Sequence, residues 1–273
     1  MALRNAVALG HSHLYHYQTF NADYLQEIIV GGAIYFSKPS DFNDPWDCRP
    51  FFDYECISDP DMREHHIQWY IETTKKHRPD ITLDEMNRMA NVYRNDPKLL
   101  ASKIREFSEA LSSAVDEQYR VYCLTPRFDS ELMWAHYTSK HRGICLEFAT
   151  RNELFCSALP VRYAENYPRF YMTDFAGPEE NIAPLLSKSA AWSYEQEFRL
   201  ISDERGNPHD CIVTTDGKVA TPPTSLTAVI GGCLASTFVV DSIKQMIAVS
   251  PHKPALKKAV RAKDKYELVV SPA

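Results

Sequence analysis

Residues 130–148, SELMWAHYTSKHRGICLEF, constrain the fold more than any other segment of this chain. They read as a short helix, a glycine stop and a strand. The Ser130 hydroxyl suits the free N–H groups of a first turn, and Glu131 complements the positive helix end. Leu132, Met133 and Ala135 are apolar, while Trp134, His136 and Tyr137 put three polar-tipped rings within one turn. Gly143 then releases the chain into residues 144–148, whose alternation fits a half-buried strand. A small helix carrying so many hydrogen-bonding rings either sits beside a pocket or caps a core, and the sequence leaves both open.

Read in order, residues 1–13 carry no pattern and read as a loose arm. Residues 14–19 form a β-prone run. Asn21 caps a helix whose Leu25, Ile28 and Ile29 share one face, and Gly31-Gly32 ends it. A second strand over 33–37 hands into K-P-S-D-F-N-D-P-W-D, a loop dense in turn formers at the end of a rigid element, where function commonly sits. From 61 to 117 the reading is helical, with a Thr82/Glu85 capping box and an Asp96-Pro97 start. This block has apolar stripes and solvated charges, so it reads as an insertion or flanking layer. Strand character returns over 121–125, and 159–163 is a weaker strand. A polar loop runs to about Gly177, followed by a helix over 182–191.

Residues 192–201, W-S-Y-E-Q-E-F-R-L-I, read as a strand with Glu195, Glu197 and Arg199 on one face and Tyr194, Phe198 and Leu200 on the other. Two like charges on one face raise each other's pKa unless a cation lies near, and Arg199 is the nearest cation in sequence. Then come a strand near 211–214, a turn at Asp216-Gly217, a strand over 226–230 ending at Gly231-Gly232, a helix over 237–249 and two closing strands joined near Lys263-Asp264. The expectation is one α+β domain: a mixed, largely antiparallel sheet core with the helical block inserted near 61–117.

A net charge of −6 argues against a dedicated electrostatic grip on nucleic acid. No run reaches the roughly 18 apolar residues of a membrane helix, and no secretory leader pattern opens the chain. The seven cysteines are odd in number and lack C-x-x-C spacing, so neither a disulfide framework nor a zinc knuckle is indicated. The expected setting is cytoplasmic and reduced, without a membrane partner. There is no G-x-S-x-G elbow, P-loop, H-E-x-x-H pair or G-x-G-x-x-G turn, which weighs against the enzyme classes built on them.

Several uncommon strings occur in a telling order: L-Y-H-Y, I-Y-F-S-x-P-x-x-F-N-D-P-W-D, C-L-T, M-W-A-H-Y-x-x-x-H-x-G-I-C-L-E-F, W-x-Y-E-x-E-F-R-L and V-I-G-G. Over about residues 14–270 they resemble the bacterial family called domain of unknown function 2971. The resemblance implies a bacterial or phage-related origin and supplies no reaction. The order of elements also resembles an ADP-ribosyltransferase core at the level of layout. That layout places a polar residue on a first strand, an aromatic or Ser on a second, and Glu on a late one. It implies that His16 holds the nicotinamide-side ribose, Tyr35 stacks on nicotinamide, Glu197 faces the oxocarbenium charge and Glu195 deprotonates an acceptor.

Tyr15, Tyr17, Ser37, Asn43, Asp44, Trp134, His136, Tyr137 and Arg199 complete the expected binding set. On this reading NAD is a substrate rather than a cofactor, and no metal or resident cofactor is expected. The partners are a nucleotide and a protein or nucleic-acid acceptor, in the setting of a toxin or phage-defence effector. The bland readings stay open beside it: a core histidine at His16, loop bracing by Asp44, helix packing by Trp134, His136 and Tyr137, and a strand-edge charge at Glu147. So do two rival functions, a metal-assisted or acid–base hydrolase or nuclease using Asp44, Asp47, His136 and Glu197, and a non-catalytic interaction module.

Overall fold

The structure is a computed structural model that describes residues 4–49, 51–171, 182–204 and 212–273. Local signals set its first unit, β1 (His13–Gln18), α1 (Ala22–Ile29) and β2 (Ala33–Tyr35). The Asn21 side chain accepts from the Asp23 and Tyr24 N–H groups at 3.0 and 3.2 Å, and Leu25, Ile28 and Ile29 are buried. A short β3 (Phe51–Phe52) precedes the helical block α2 (Pro60–His77), α3 (Leu83–Asn95) and α4 (Pro97–Gln118). Asp59, Thr82 and Asp96 cap these helices, and the Thr82/Glu85 box is complete. The block packs around its own apolar cluster of Ile67, Ala90, Tyr93, Leu100 and Ile104, with Phe52 and Ile57.

The chain then builds β4 (Tyr119–Leu124), α5 (Glu131–Tyr137), β5 (Ile144–Ala149), β6 (Leu159–Pro160), β7 (Arg162–Ala164), β8 (Arg169–Phe170), β9 (Ser187–Ser189), β10 (Phe198–Asp203), β11 (Lys218–Ala220) and β12 (Leu226–Gly231). Helix α6 (Thr237–Val249), β13 (Ala255–Arg261) and β14 (Leu268–Pro272) close it. The fold is α+β. Its main sheet runs β1-β5-β12-β13-β14, antiparallel except for β12–β13, where α6 makes the parallel crossover. Helices α1 and α6 cover this sheet through Leu25, Ile29, Val239 and Ile243, which join Leu146, Phe148 and Val229 in the principal core.

A second sheet, β4-β10-β6, is tied to the first where Tyr15 and Thr125 exchange backbone hydrogen bonds of 2.7 and 2.9 Å. Just beyond β2, Ser37 bonds both ways to Val121 at 2.9 Å on the same free edge of β4. Strand β4 therefore lies between β1 and β10, and the two sheets diverge from it. Strand β11 pairs with β2 after a turn in which Asp216 and Gly217 are both left-handed. Strands β3 and β8 pair in parallel, as do β7 and β9.

Six expectations need correction. Strand β5 is not half-buried, because β1 and β12 flank it and residues 144–148 are all buried. Glu147 is accordingly no edge charge: it accepts from Thr227 Oγ1 at 2.7 Å and Lys257 Nζ at 2.8 Å. Residues 182–191 are not a helix but 3-10 turns on either side of β9. The strand expected over 192–201 starts at Phe198, since Gln196 turns into the left-handed region at φ 48°. Residues 4–13 are not a loose arm, for Ala6 is buried and donates to the Ala158 carbonyl at 3.0 Å. The strand expected over 211–214 reduces to a bridge from Ile212 to Ser202, and Cys211 and Gly177 lie outside the described residues. No helix among the described residues is long and apolar enough to cross a membrane.

The segment between α5 and β5 is unusual. Ser139, Lys140 and His141 adopt φ values of 49°, 60° and 64° in succession, a conformation that costs non-glycine residues roughly 1–2 kcal/mol each. Tertiary bonds hold it: His141 N–H donates to Trp134 O at 3.0 Å, and Leu234 N–H donates to His141 O at 3.0 Å. The second glycine of V-I-G-G makes this approach possible, since a Cβ at Gly232 would fall 2.2 Å from the His141 oxygen, whereas one at Gly231 meets nothing closer than 3.9 Å. Gly232→Ala is expected to cost roughly 1–3 kcal/mol, lowering the Tm by several degrees, and Gly231→Ala to leave it near wild type. Thermal melts of the two variants check this; equal melting of both would refute the assigned role of the close approach.

Candidate functional site

Between the diverging sheets lies a cleft of about 380 Å³. Strand β1 supplies Tyr15, His16 and Tyr17. The loop after β2 supplies Ser37, Asp41, Phe42, Asn43 and Asp47, and β4 supplies Cys123 and Leu124. Helix α5 presents Met133, His136 and Tyr137 on one side, while Lys188, Glu195 and Glu197 form the opposite wall. Ser130 positions α5 by accepting from the Met133 N–H at 3.4 Å. Most of the residues expected at one site therefore do share one cavity although they are distant in sequence. Four do not line it.

Tyr35 is 43 % exposed and faces a neighbouring cavity, not this one. The reason is register: β2 ends at Tyr35, and Ser37 is the first residue beyond it to bond β4. The strand beside His16 and Glu197 is thus β4, so the aromatic role assigned to Tyr35 is not one its position allows. Asp44 is buried and accepts from the Trp46 N–H at 3.0 Å, which braces the loop. Trp134 is fully buried, with its Nε1–H on the Phe128 carbonyl at 2.7 Å and its ring edge-on to Tyr17. Arg199 lies behind the wall at 0 % exposure.

That wall is a buried ion network. Arg199 Nε donates to Glu197 Oε1 at 2.7 Å, and Nη2 donates to Asp47 Oδ2 at 2.7 Å and Glu197 Oε2 at 3.1 Å. Its Nη1 reaches the Leu185 carbonyl at 2.7 Å. Lys188 Nζ donates to Glu195 Oε2 at 2.7 Å and Glu197 Oε2 at 2.9 Å, with Asp47 Oδ2 at 3.5 Å. Glu195 also accepts from the Tyr137 hydroxyl at 2.6 Å, and its carbonyl accepts from Thr125 Oγ1 at 2.6 Å. The Glu197 N–H donates to the Tyr163 hydroxyl at 2.8 Å. The expected common face of Glu195, Glu197 and Arg199 is produced by the turn at Gln196, not by strand periodicity.

The two glutamates are driven apart in proton affinity. Burial pushes both upward, but for Glu197 the Arg199 and Lys188 charges outweigh it and hold the carboxyl well below its ordinary value. For Glu195 burial wins over Lys188, with repulsion from Glu197 added, and its pKa is raised. Tyr137 is raised by burial and by Glu195, so its hydroxyl stays a donor. His16 donates from Nδ1 to the Cys123 carbonyl at 2.8 Å or accepts nothing there, since a carbonyl offers no proton. The His16 ring stacks on Tyr122 at 4.3 Å, and burial lowers its pKa to about 4. It is a neutral ring whose remaining nitrogen, Nε2, is an acceptor.

Lys188 was not legible as a site residue, because 182–191 reads as a helix and a single lysine there reads as solvated. Its apolar neighbours, L-L-S-K-S-A-A-W, are the signal that it is enclosed. Tyr163, Thr125 and Cys123 escaped for a similar reason: Cys123 and Thr125 are unremarkable until β4 meets β10 and β1, and Tyr163 until β7 meets β9. The divalent-ion set Asp44, Asp47, His136 and Glu197 does not converge: Asp44 turns to the backbone, and Asp47 and Glu197 are taken up by Arg199 and Lys188. Comparison with protein-family models, with curated proteins and with solved structures returned no match to this chain.

The His16 shift has a defined sign. The unfolded chain takes up the proton near 6.5 and the folded one only near 4, so this stabilising contribution is complete above pH 6.5 and is lost as pH falls from 6.5 to 4. The loss is at most about 3 kcal/mol. His16→Gln is expected to flatten that part of the stability profile, measured by urea unfolding at pH 7 and pH 4.5. A variant with the wild-type pH dependence would show that His16 is not the group responsible.

Proposed function

We propose that the protein is a nucleotide-acting enzyme of ADP-ribosyltransferase-like layout that consumes NAD, passing ADP-ribose to an acceptor or to water. The observation that carries this reading is the pair of carboxylates facing one cleft with their pKa values pushed in opposite directions. Such a split divides acid–base work between neighbouring groups. Glu197 remains ionised and is the charge needed opposite an oxocarbenium-like sugar. Glu195, with its higher proton affinity, is the group to receive a proton.

The chemistry then balances. The C1′–N bond of the nicotinamide ribose breaks, and its electron pair leaves on the nicotinamide nitrogen as neutral nicotinamide. The acceptor oxygen or nitrogen bonds C1′ and gives its proton to Glu195. Tyr137 orients Glu195, and His16 offers an uncharged acceptor toward the ribose hydroxyls. The carboxylates that line the cleft, Asp41, Asp47, Glu195 and Glu197, outnumber Lys188 on its wall and Arg199, which pairs Asp47 and Glu197 from behind. A cleft with that excess of acid favours the pyridinium end of NAD and keeps the diphosphate toward the mouth.

A protein or nucleic-acid acceptor, a cytoplasmic setting, a toxin or phage-defence role and membership of the family that the motif order resembles belong to the same proposal. The reading of the pocket as a binding module without turnover has one observation in its favour: both glutamates are already satisfied by cations and hydroxyls.

Nicotinamide release from NAD separates the two. Wild type is expected to release it, and Glu197→Gln to do so on the order of 10²–10³ more slowly per folded molecule. The same variant leaves two buried cations short of a partner, so its Tm is expected to fall as well. Glu195→Gln keeps the Tyr137 contact and is expected to lose turnover with a smaller loss of stability. Wild type that neither binds nor consumes NAD overturns the enzyme reading.

A further inference from the structure

We propose that the cleft continues past His16 into a second chamber that takes an uncharged nucleobase, making the substrate a two-armed nucleotide. The inference rests on the nucleotide reading above and adds a subsite to it. A cavity of about 210 Å³ lies on the far side of His16, Ser37, Phe42 and Cys123, and these four residues line both spaces. They are the rim that the two spaces share, and the neutral His16 ring is part of it.

The two chambers differ in chemistry. The walls of the second include Tyr24 from α1 and Tyr35 from β2, with Ile28 and Ala33 as apolar surface and the Gln18 amide as a neutral hydrogen-bonding group. Tyr24 is 59 % exposed and Tyr35 43 % exposed, so both phenol rings keep free surface. The one carboxylate lining this chamber, Glu27, is paired with Lys218 at 2.7 Å. The first chamber carries an excess of acid, and the second is close to neutral. Aromatic faces with apolar surface and an amide recognise a flat, uncharged ring that stacks and hydrogen-bonds, which is the description of a nucleobase. The Tyr35 ring is held in place from behind by the Asp216-Gly217 turn, where a Cβ at Gly217 would fall 2.7 Å from it.

Adenosine, which lacks the nicotinamide arm, is the probe. Its affinity is measured by calorimetry for wild type, Tyr24→Ala and Tyr35→Ala, beside the kinetics of nicotinamide release from NAD and from nicotinamide mononucleotide. Each substitution is expected to weaken adenosine on the order of 10-fold and to raise the KM for NAD, leaving the mononucleotide unaffected. Tyr24→Ala sits at an exposed helical position and preserves the fold even where Tyr35→Ala does not. Adenosine that fails to bind, or binds all three proteins alike, overturns the chamber. Adenosine binding lost in the variants while wild type leaves NAD intact supports the chamber and removes the reaction. NAD consumption with unchanged KM in both variants removes the chamber and leaves the reaction standing.

Discussion

The interaction on which this architecture depends is the buried contact of Arg199 with Glu197 and Asp47. A guanidinium with no exposed surface carries a desolvation penalty of several kcal/mol, and only near-complete pairing offsets it. Arg199 satisfies that demand from three separate parts of the chain: the loop after β2 through Asp47, its own strand region through Glu197, and the 3-10 turn before β9 through the Leu185 carbonyl. Each of these partners is fixed by the same cation. Lys188 joins the network from β9 and brings Glu195 in, and Glu195 in turn receives Tyr137 from α5. The wall of the cleft is thus assembled from segments that have no local reason to meet.

This explains which parts of the fold were legible in the sequence. The Asn21 cap, the Thr82/Glu85 box, the Asp96-Pro97 start and the Ser130 cap are local chemistry, and every helix they announce is present. Apolar alternation located β1, β4, β12 and the closing hairpin for the same reason. Residues 182–197 failed the reading because their conformation answers to partners far away. Ser187–Ser189 extend to pair with β7, Lys188 turns inward to three carboxylates, and Gln196 takes a left-handed conformation that re-aims Glu195 and Glu197. No periodicity in a single segment encodes a requirement of that kind.

The site was legible as a set of residues and not as a geometry. Tyr15, His16, Tyr17, Ser37, Asn43, His136, Tyr137, Glu195 and Glu197 do line one cavity. Tyr35 was misplaced because β2 ends there paired with β11, and the chain meets β4 only at Ser37, so the residue beside the cleft is Ser37 and not Tyr35. Glu147 was misread because the sequence does not say that β5 lies inside its sheet. Its low pKa arises once Lys257 and Thr227 outweigh burial, and both belong to elements about eighty or more residues further on.

The position of β4 brings these threads together. Its free edge takes up Ser37 and Tyr15, while its other edge holds β10, so β4 sets the distance between the aromatic wall of β1 and the ionic wall beyond Phe198. The His16 bond to the Cys123 carbonyl is part of that spacing, because it uses Nδ1 and leaves Nε2 free. A histidine free to protonate would add a cation to the cleft near neutral pH and weaken its acid excess. Burial keeps it neutral instead. The cleft thereby keeps its acidic character. The neutrality of His16 is therefore a consequence of how β4 is wedged between its neighbours.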